Sequence, residues 1–179
     1  MNLFFTSDTH FGHDRIREYC QRPFNSLEEM DNTLIKRWNE RVKPDDMVIF
    51  LGDFCFRSNK EERGEGVHHK WKYYRKQLNG EIVFVRGNHD NNNSLNTKIN
   101  SLMIEIGGKN IYCTHDPAND EDLWTYNLCG HVHEKWKTKK YVYNDFPTYI
   151  INVGVDMHNF YPVSATEIIE TFNEMEKND

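Results

Sequence analysis

Five short segments of this chain carry side chains of the kinds that bind metal ions or move protons, and each follows a run of apolar residues. Asp8-Thr9-His10 comes after Leu3 to Thr6, and Gly52-Asp53 comes after Met47 to Leu51. Gly87-Asn88-His89-Asp90 follows Ile82 to Val85, Thr114-His115-Asp116 closes a fourth run, and Gly130-His131-Val132-His133 follows "YNLC". In open α/β sheets, sites form outside the carboxyl ends of strands, so residues at such ends can converge from distant parts of the chain. The collected set is Asp8, His10, Asp53, Asn88, His115, His131 and His133. It offers oxygen and nitrogen without sulfur, which suits hard-to-borderline divalent ions such as Mn²⁺, Fe²⁺ or Zn²⁺. Seven ligands are too many for one zinc-like site and match two ions if one carboxylate bridges them. In Asp8/His10 and His131/His133 one residue separates the pair, so both members would point alike on an extended strand end. A lone Asp-x-His or Gly-Asp is common and carries little weight. The specificity lies in GNHD, in GHxH and in the order of all five segments.

The elements that must position these residues are legible from periodicity and punctuation. Ser26 with Glu29 forms a capping-box pattern, and Leu27, Met30, Leu34 and Trp38 follow at helical spacing, predicting a helix that ends near Val42. Val67, Trp71, Tyr74 and Leu78 predict a second helix before the Asn79-Gly80 turn. Gly107-Gly108 between Leu102 to Ile106 and Asn110 to Thr114 predicts a hairpin. "YIINVGV" is a late strand, and Ser164 with Glu167 caps a last helix whose apolar side holds Ile168, Ile169 and Phe172. The early order of strand, helix, strand, helix, strand points to α/β with parallel pairing, and the later part adds mixed sheet content.

The chain of 179 residues fits one domain, 1–179, with 28% charged and 37% hydrophobic residues. No run approaches the ~18 apolar residues of a membrane span, and "MNLFFTSDTH" has no basic n-region, so neither membrane insertion nor a signal peptide is expected. Cys20, Cys55, Cys113 and Cys129 form no CxxC pair, which excludes a zinc ribbon and fits a cytoplasmic protein with reduced thiols. A net charge of −6 argues against a general nucleic-acid binder. It does not exclude a phosphate-bearing ligand held by metals.

The series Asp8-x-His10, Gly52-Asp53, Gly87-Asn88-His89-Asp90, His115, Gly130-His131-x-His133 resembles the signature of the calcineurin-like metallophosphoesterase superfamily. "NVGVDMHNFYPVSATEI" is similar to the closing strand and helix of its compact prokaryotic and phage members. The resemblance implies an α/β fold, a four-layer α-β-β-α sandwich with two mixed sheets, and a two-metal site at one edge. By that resemblance Asp8, His10, Asp53 and His133 hold one ion, and Asp53, Asn88, His115 and His131 the other, with Asp53 bridging. Manganese is the expected metal, with iron, zinc or nickel as alternatives. The implied activity is hydrolysis of phosphodiesters, with monoesters open, by a hydroxide bridging the two ions. His89 would then serve the leaving oxygen, and Asp90, counted with His89 and Arg57 among the catalytic residues, would cap the turn and orient its neighbours. Arg57, four residues after Asp53, stands where one branch contacts phosphate, but Phe56 replaces that branch's acid, so His89 lacks its usual partner. His13 lies close enough in sequence to meet a small phosphoester or nucleotide substrate. Two readings compete: a metal-holding module that captures a nucleotide without turnover, and an end-processing phosphatase or nuclease. The complete ligand set counts against the first and the acidic balance against the second.

Overall fold

Phe4 and Phe5 are neighbours in the first strand, and they face different cores. That alternation, inherent in a strand's period of two, sets the layering. The computed structural model describes residues 1–56, 69–90, 95–117, 124–143 and 145–178. Strands β1 (Leu3–Thr6), β2 (Met47–Leu51) and β3 (Glu81–Val85) pair in parallel, and β9 (Val163–Ser164) adds antiparallel to β1. The first sheet therefore has the order β3-β2-β1-β9. The second sheet has the order β4-β5-β6-β8-β7, built from β4 (Ser101–Ile106), β5 (Lys109–Thr114), β6 (Tyr126–Cys129), β7 (Thr138–Tyr143) and β8 (Phe146–Asn152). β5, β6 and β8 run parallel, and β4 and β7 flank them antiparallel. The expected α/β class with two mixed sheets is what the chain adopts.

One face of the first sheet packs against helices. Phe4, Val48 and Phe50 meet Ile16 of α1 (Ile16–Tyr19), Met30, Leu34 and Trp38 of α2 (Leu27–Arg41), and Tyr74 of α3 (Trp71–Arg75). The other face packs on the second sheet. Phe5, Ile49, Leu51 and Val85 join Ile111, Leu128, Tyr149 and Ile151, and α4 (Ala165–Lys177) adds Ile168 and Phe172 to the same core. No described helix is long and apolar enough to cross a membrane.

Local expectations hold where capping chemistry was explicit. Ser26 Oγ accepts the Glu29 N–H at 3.1 Å, and α2 stops at Arg41 with Val42 extended. Ser164 and Glu167 form a reciprocal capping box at the start of α4. The second helix is shorter than predicted. It spans Trp71–Arg75 with no side-chain cap, Leu78 is buried beyond its end, and Val67 lies outside the described residues. The late strand ends at Asn152 rather than running through Val155, because the Asn152 side chain bridges away from the sheet. Its Nδ2 donates to the His133 and Trp136 carbonyls, and its Oδ1 accepts the Gly154 N–H at 2.8 Å. Strands β7 and β9 and helix α1 had no sequence prediction. All are short or, like β7 with Tyr141 and Val142 exposed, poor in buried apolar positions.

Candidate metal centre

The ligand-type residues sit just past the ends of β1, β2, β3, β5 and β6, and backbone bonds tie these loops together. The Asp8 N–H donates to Gly52 O at 3.0 Å, the His10 N–H to Asp53 O at 3.1 Å, and the Gly130 N–H to His115 O at 3.0 Å. Asp8, His10, Asp53, His131 and His133 all hold left-handed backbone, with φ of 57°, 48°, 58°, 70° and 48°. Such conformations cost non-glycine residues of order 1–3 kcal/mol each and persist only where the surroundings over-determine them, as they do at functional sites. This corrects the extended-strand expectation for Asp8/His10 and His131/His133. Turns, not a period of two, aim these side chains, and the second pair divides between two clusters.

The glycines of the motifs permit this crowding. A side chain on Gly52 (φ 89°) would begin 2.6 Å from the Gly87 Cα and 2.5 Å from His115 Nδ1. One on Gly87 would fall onto the Asp53 carboxylate. Only two chain segments without Cβ atoms can cross this closely.

In the first cluster, ligand atoms of Asp8, His10 and His133 lie within 4.8 Å of one another. His10 Nε2 is 3.6 Å from Asp53 Oδ2 and 4.0 Å from Asp8 Oδ1. Those gaps are too wide for hydrogen bonds. They match the ~3–4 Å separation of two ligands bound at ~2.0–2.2 Å to one ion. His10 is buried with neither ring nitrogen hydrogen-bonded. Burial holds its pKa well below the ordinary histidine value, which leaves a neutral ring with a lone pair to donate.

The second cluster is Asp53, Asn88, His115 and His131. His115 Nδ1–H donates to Leu51 O at 2.7 Å, so in the neutral ring Nε2 carries the lone pair. That nitrogen faces Asn88 Oδ1 at 2.9 Å and Asp53 Oδ2 at 3.4 Å, and His131 Nδ1 is 3.1 Å from the same amide oxygen. Acceptors turned toward one another need a cation or a proton between them. In the protein alone a proton answers: burial would lower the His115 pKa, but Asp53 and Asp8 raise it to about 9. Burial would likewise raise Asp53, yet the His115 bond and the fields of His10, His115 and His89 hold it well below the usual carboxylate range. Asp8 is raised by burial. A second triad within 4.8 Å joins Asp8, Asp53 and His115, so both carboxylates stand between the two histidine sets. The residues fit a pair of divalent cations.

All seven expected ligands are therefore brought together. His89 and His13 line an adjoining cavity of about 400 Å³ with His10 and His133. The His89 ring lies 5.4 Å from that of His10 and 5.5 Å from that of Phe56. His13 stacks on Phe56 at 3.7 Å, and burial pushes its pKa down to about 4. Asp90 is buried, and its carboxylate accepts the backbone N–H groups of Gly87, Asp53 and Phe54 at 2.8, 2.9 and 3.2 Å. That is the turn-capping role, and it staples the GNHD turn to the Gly-Asp loop. Arg57 lies outside the described residues. Sequence reading passed over Asp156, whose Oδ2 accepts from His133 Nδ1 at 3.2 Å, and Arg22, which pairs with Asp156. Asp156 follows a strand end like the other site residues, and that signal was available. Arg22 stands in "QRPF", where nothing marks it.

The chain is 36% identical over 172 residues to an uncharacterized protein of Methanocaldococcus jannaschii, an alignment covering 94% of this chain and 89% of the relative. It is 34% identical over 102 residues to the gene 66 protein of Mycobacterium phage L5, covering 57% of this chain and 46% of that protein. Among solved structures, a protein of unknown function from Aquifex aeolicus shares the fold, with a TM-score of 0.66, 24% identity and coverage of 95% and 98% of the two chains. The model of the calcineurin-like phosphoesterase superfamily domain matches residues 1–158, which take in every strand end of the site, and the chain belongs to that superfamily.

Proposed function

We propose that this protein is a phosphohydrolase that uses two divalent ions, manganese first and iron, zinc or nickel as alternatives, to hydrolyse small phosphodiesters and, less readily, monoesters. The observation that carries the reading is the convergence of seven ligand-type side chains from five strand ends, with His10 buried and unpartnered among them. Asp8, His10, Asp53 and His133 would hold one ion, and Asp53, Asn88, His115 and His131 the other. When bound, the pair supplies Lewis acidity that activates a water to attack phosphorus in line and neutralises the phosphoryl oxygens. The chain's own contribution is placement. The neutral Asn88 amide adds a ligand oxygen without further negative charge, which keeps the site open to an anion. His89 stands in the cavity beside His10, where its ring can donate to the leaving oxygen.

The cavity supports a substrate with a flat ester group. His10, His89 and His133 line it together with Ile16, Tyr19 and Phe56. An apolar and aromatic wall suits an aryl or nucleoside ester better than a sugar polyol. The net charge of −6 supports a small substrate rather than long nucleic acid. Four buried cysteines, none in a disulfide, support a reducing, cytoplasmic setting.

The test is a substrate panel on metal-stripped and Mn²⁺-reconstituted protein: bis(p-nitrophenyl) phosphate, cyclic nucleotides, monoesters and nucleic-acid ends. Turnover should require added metal and favour the diesters. Protein that takes up two ions but turns over none of the panel would be a binding module instead. Tyr19 is 60% exposed, so its removal spares the core. Tyr19→Ala should raise KM for nucleoside and aryl diesters ~10-fold, the size of one lost stacking contact, and leave KM for a dialkyl diester unchanged.

A further inference from the structure

Arg22 is a buried cation far from the protein surface in every sense that matters to its energy: its side chain is 0% exposed, and that of Asp156 is 3% exposed. A buried pair of this kind seldom repays its desolvation better than two apolar side chains would, so its partners deserve a count. A guanidinium has five N–H donors, and this one has five contacts. Nε donates to Asp156 Oδ1 at 2.7 Å, and one terminal nitrogen donates to Asp156 Oδ2 at 2.9 Å and to the Asp8 carbonyl at 2.7 Å. The other donates to the Thr9 carbonyl at 3.1 Å and meets Met30 Sδ at 3.6 Å. Arg22 thus grips the loop that carries Asp8 and His10 and, through a bidentate fork, the carboxylate of Asp156, 134 residues away.

Asp156 passes the constraint on. Its Oδ2 accepts from His133 Nδ1 at 3.2 Å, so the Nδ1–H tautomer is held and Nε2 keeps the lone pair. The His133 ring lies 5.1 Å from that of His10, and its backbone is strained at φ 48°. We propose that Arg22 and Asp156 are positioning residues for the first metal position: one guanidinium sets the loop of Asp8 and His10 and, through Asp156, the orientation of His133. This rests on the reading of Asp8, His10 and His133 as ligands. It also settles the fate of a neighbouring trio. Ligand-type atoms of Cys20, His133 and Asp156 lie within 4.8 Å of one another, but both Asp156 oxygens are engaged by Arg22, whose charge repels a cation there.

The experiment is a metal titration of the stripped full-length protein against a chromophoric chelator, which reads affinity without turnover. Wild type should take up two ions. Asp156→Asn should weaken one of them ~10–100-fold, the usual effect of losing the partner of a ligating histidine, and leave the other within about twofold. Arg22→Lys retains the buried charge, but one ammonium cannot span Asp156 and two carbonyls, so it should weaken the same ion. His133→Ala identifies which ion that is. If either variant lowers Tm while both ions bind as in wild type, the pair is scaffold and the proposal is overturned. If both ions weaken equally, the pair supports the whole fold rather than one position, which overturns it too. Wild-type protein that binds no ion would overturn the ligand reading itself, a result visible before any variant is made.

Discussion

Asp53→Asn is expected to abolish phosphoester turnover, a loss of ~10³-fold or more, while the protein stays folded. Asp53 Oδ2 lies 3.6 Å from His10 Nε2 and 3.4 Å from His115 Nε2, so a single oxygen reaches both histidine sets. An amide in its place removes a full negative charge from between the two proposed cations. A loss of several kcal/mol of charge stabilisation follows, and each 1.36 kcal/mol is tenfold in rate. The fold survives because the change is nearly isosteric and the other oxygen, which accepts the His89 N–H at 2.9 Å, can still accept it. Metal content by mass spectrometry, a circular-dichroism melt and a diester assay on one preparation give the answer. A variant that is both active and metal-replete would remove Asp53 from its bridging role.

His89→Ala should separate substrates by their leaving groups. An alkyl phosphomonoester departs as a poor alkoxide and needs a proton, so its kcat/KM should fall by ~10²–10⁴-fold. Bis(p-nitrophenyl) phosphate departs as a stabilised phenolate and should lose less than ~10-fold, since little protonation is required. The geometry makes the comparison clean. The His89 ring packs against Phe56 at 5.5 Å and, among the described residues, forms no ion pair, so its removal breaks no direct charge pair there. Its backbone N–H, bound to Asp53, is untouched by the substitution. Equal losses on the two substrates would assign the ring to binding or to metal positioning and not to the leaving group.

Much of this architecture could be read from local chemistry. β1 and β2 are short continuous apolar runs, which is how strands buried on both faces appear, and β3 reads the same way although only Val85 of it is fully buried. Helices α2 and α4 were announced by their caps, and Gly107-Gly108 announced the β4–β5 hairpin. Where the reading failed, tertiary contacts had overridden the pattern. α3 stopped after five residues although apolar spacing continued to Leu78, and β8 stopped at Asn152 because an amide side chain found two carbonyls across the loop. β7 is an edge strand with exposed Tyr141 and Val142, and such strands lack the alternation that identifies half-buried ones.

The identity of the candidate ligands was a property of the sequence by itself. Asp8, His10, Asp53, Asn88, His115, His131 and His133 stand at strand ends, and the chemical types of side chains there are written residue by residue. How they divide was a decision of the tertiary structure. His131 and His133 are two residues apart, yet one faces Asn88 and the other faces His10, because each sits in a left-handed turn whose φ comes from packing rather than propensity. The same holds for Arg22 and Asp156. A buried charge acquires its meaning from partners 14 and 134 residues away, and no spacing along the chain encodes distances of that kind.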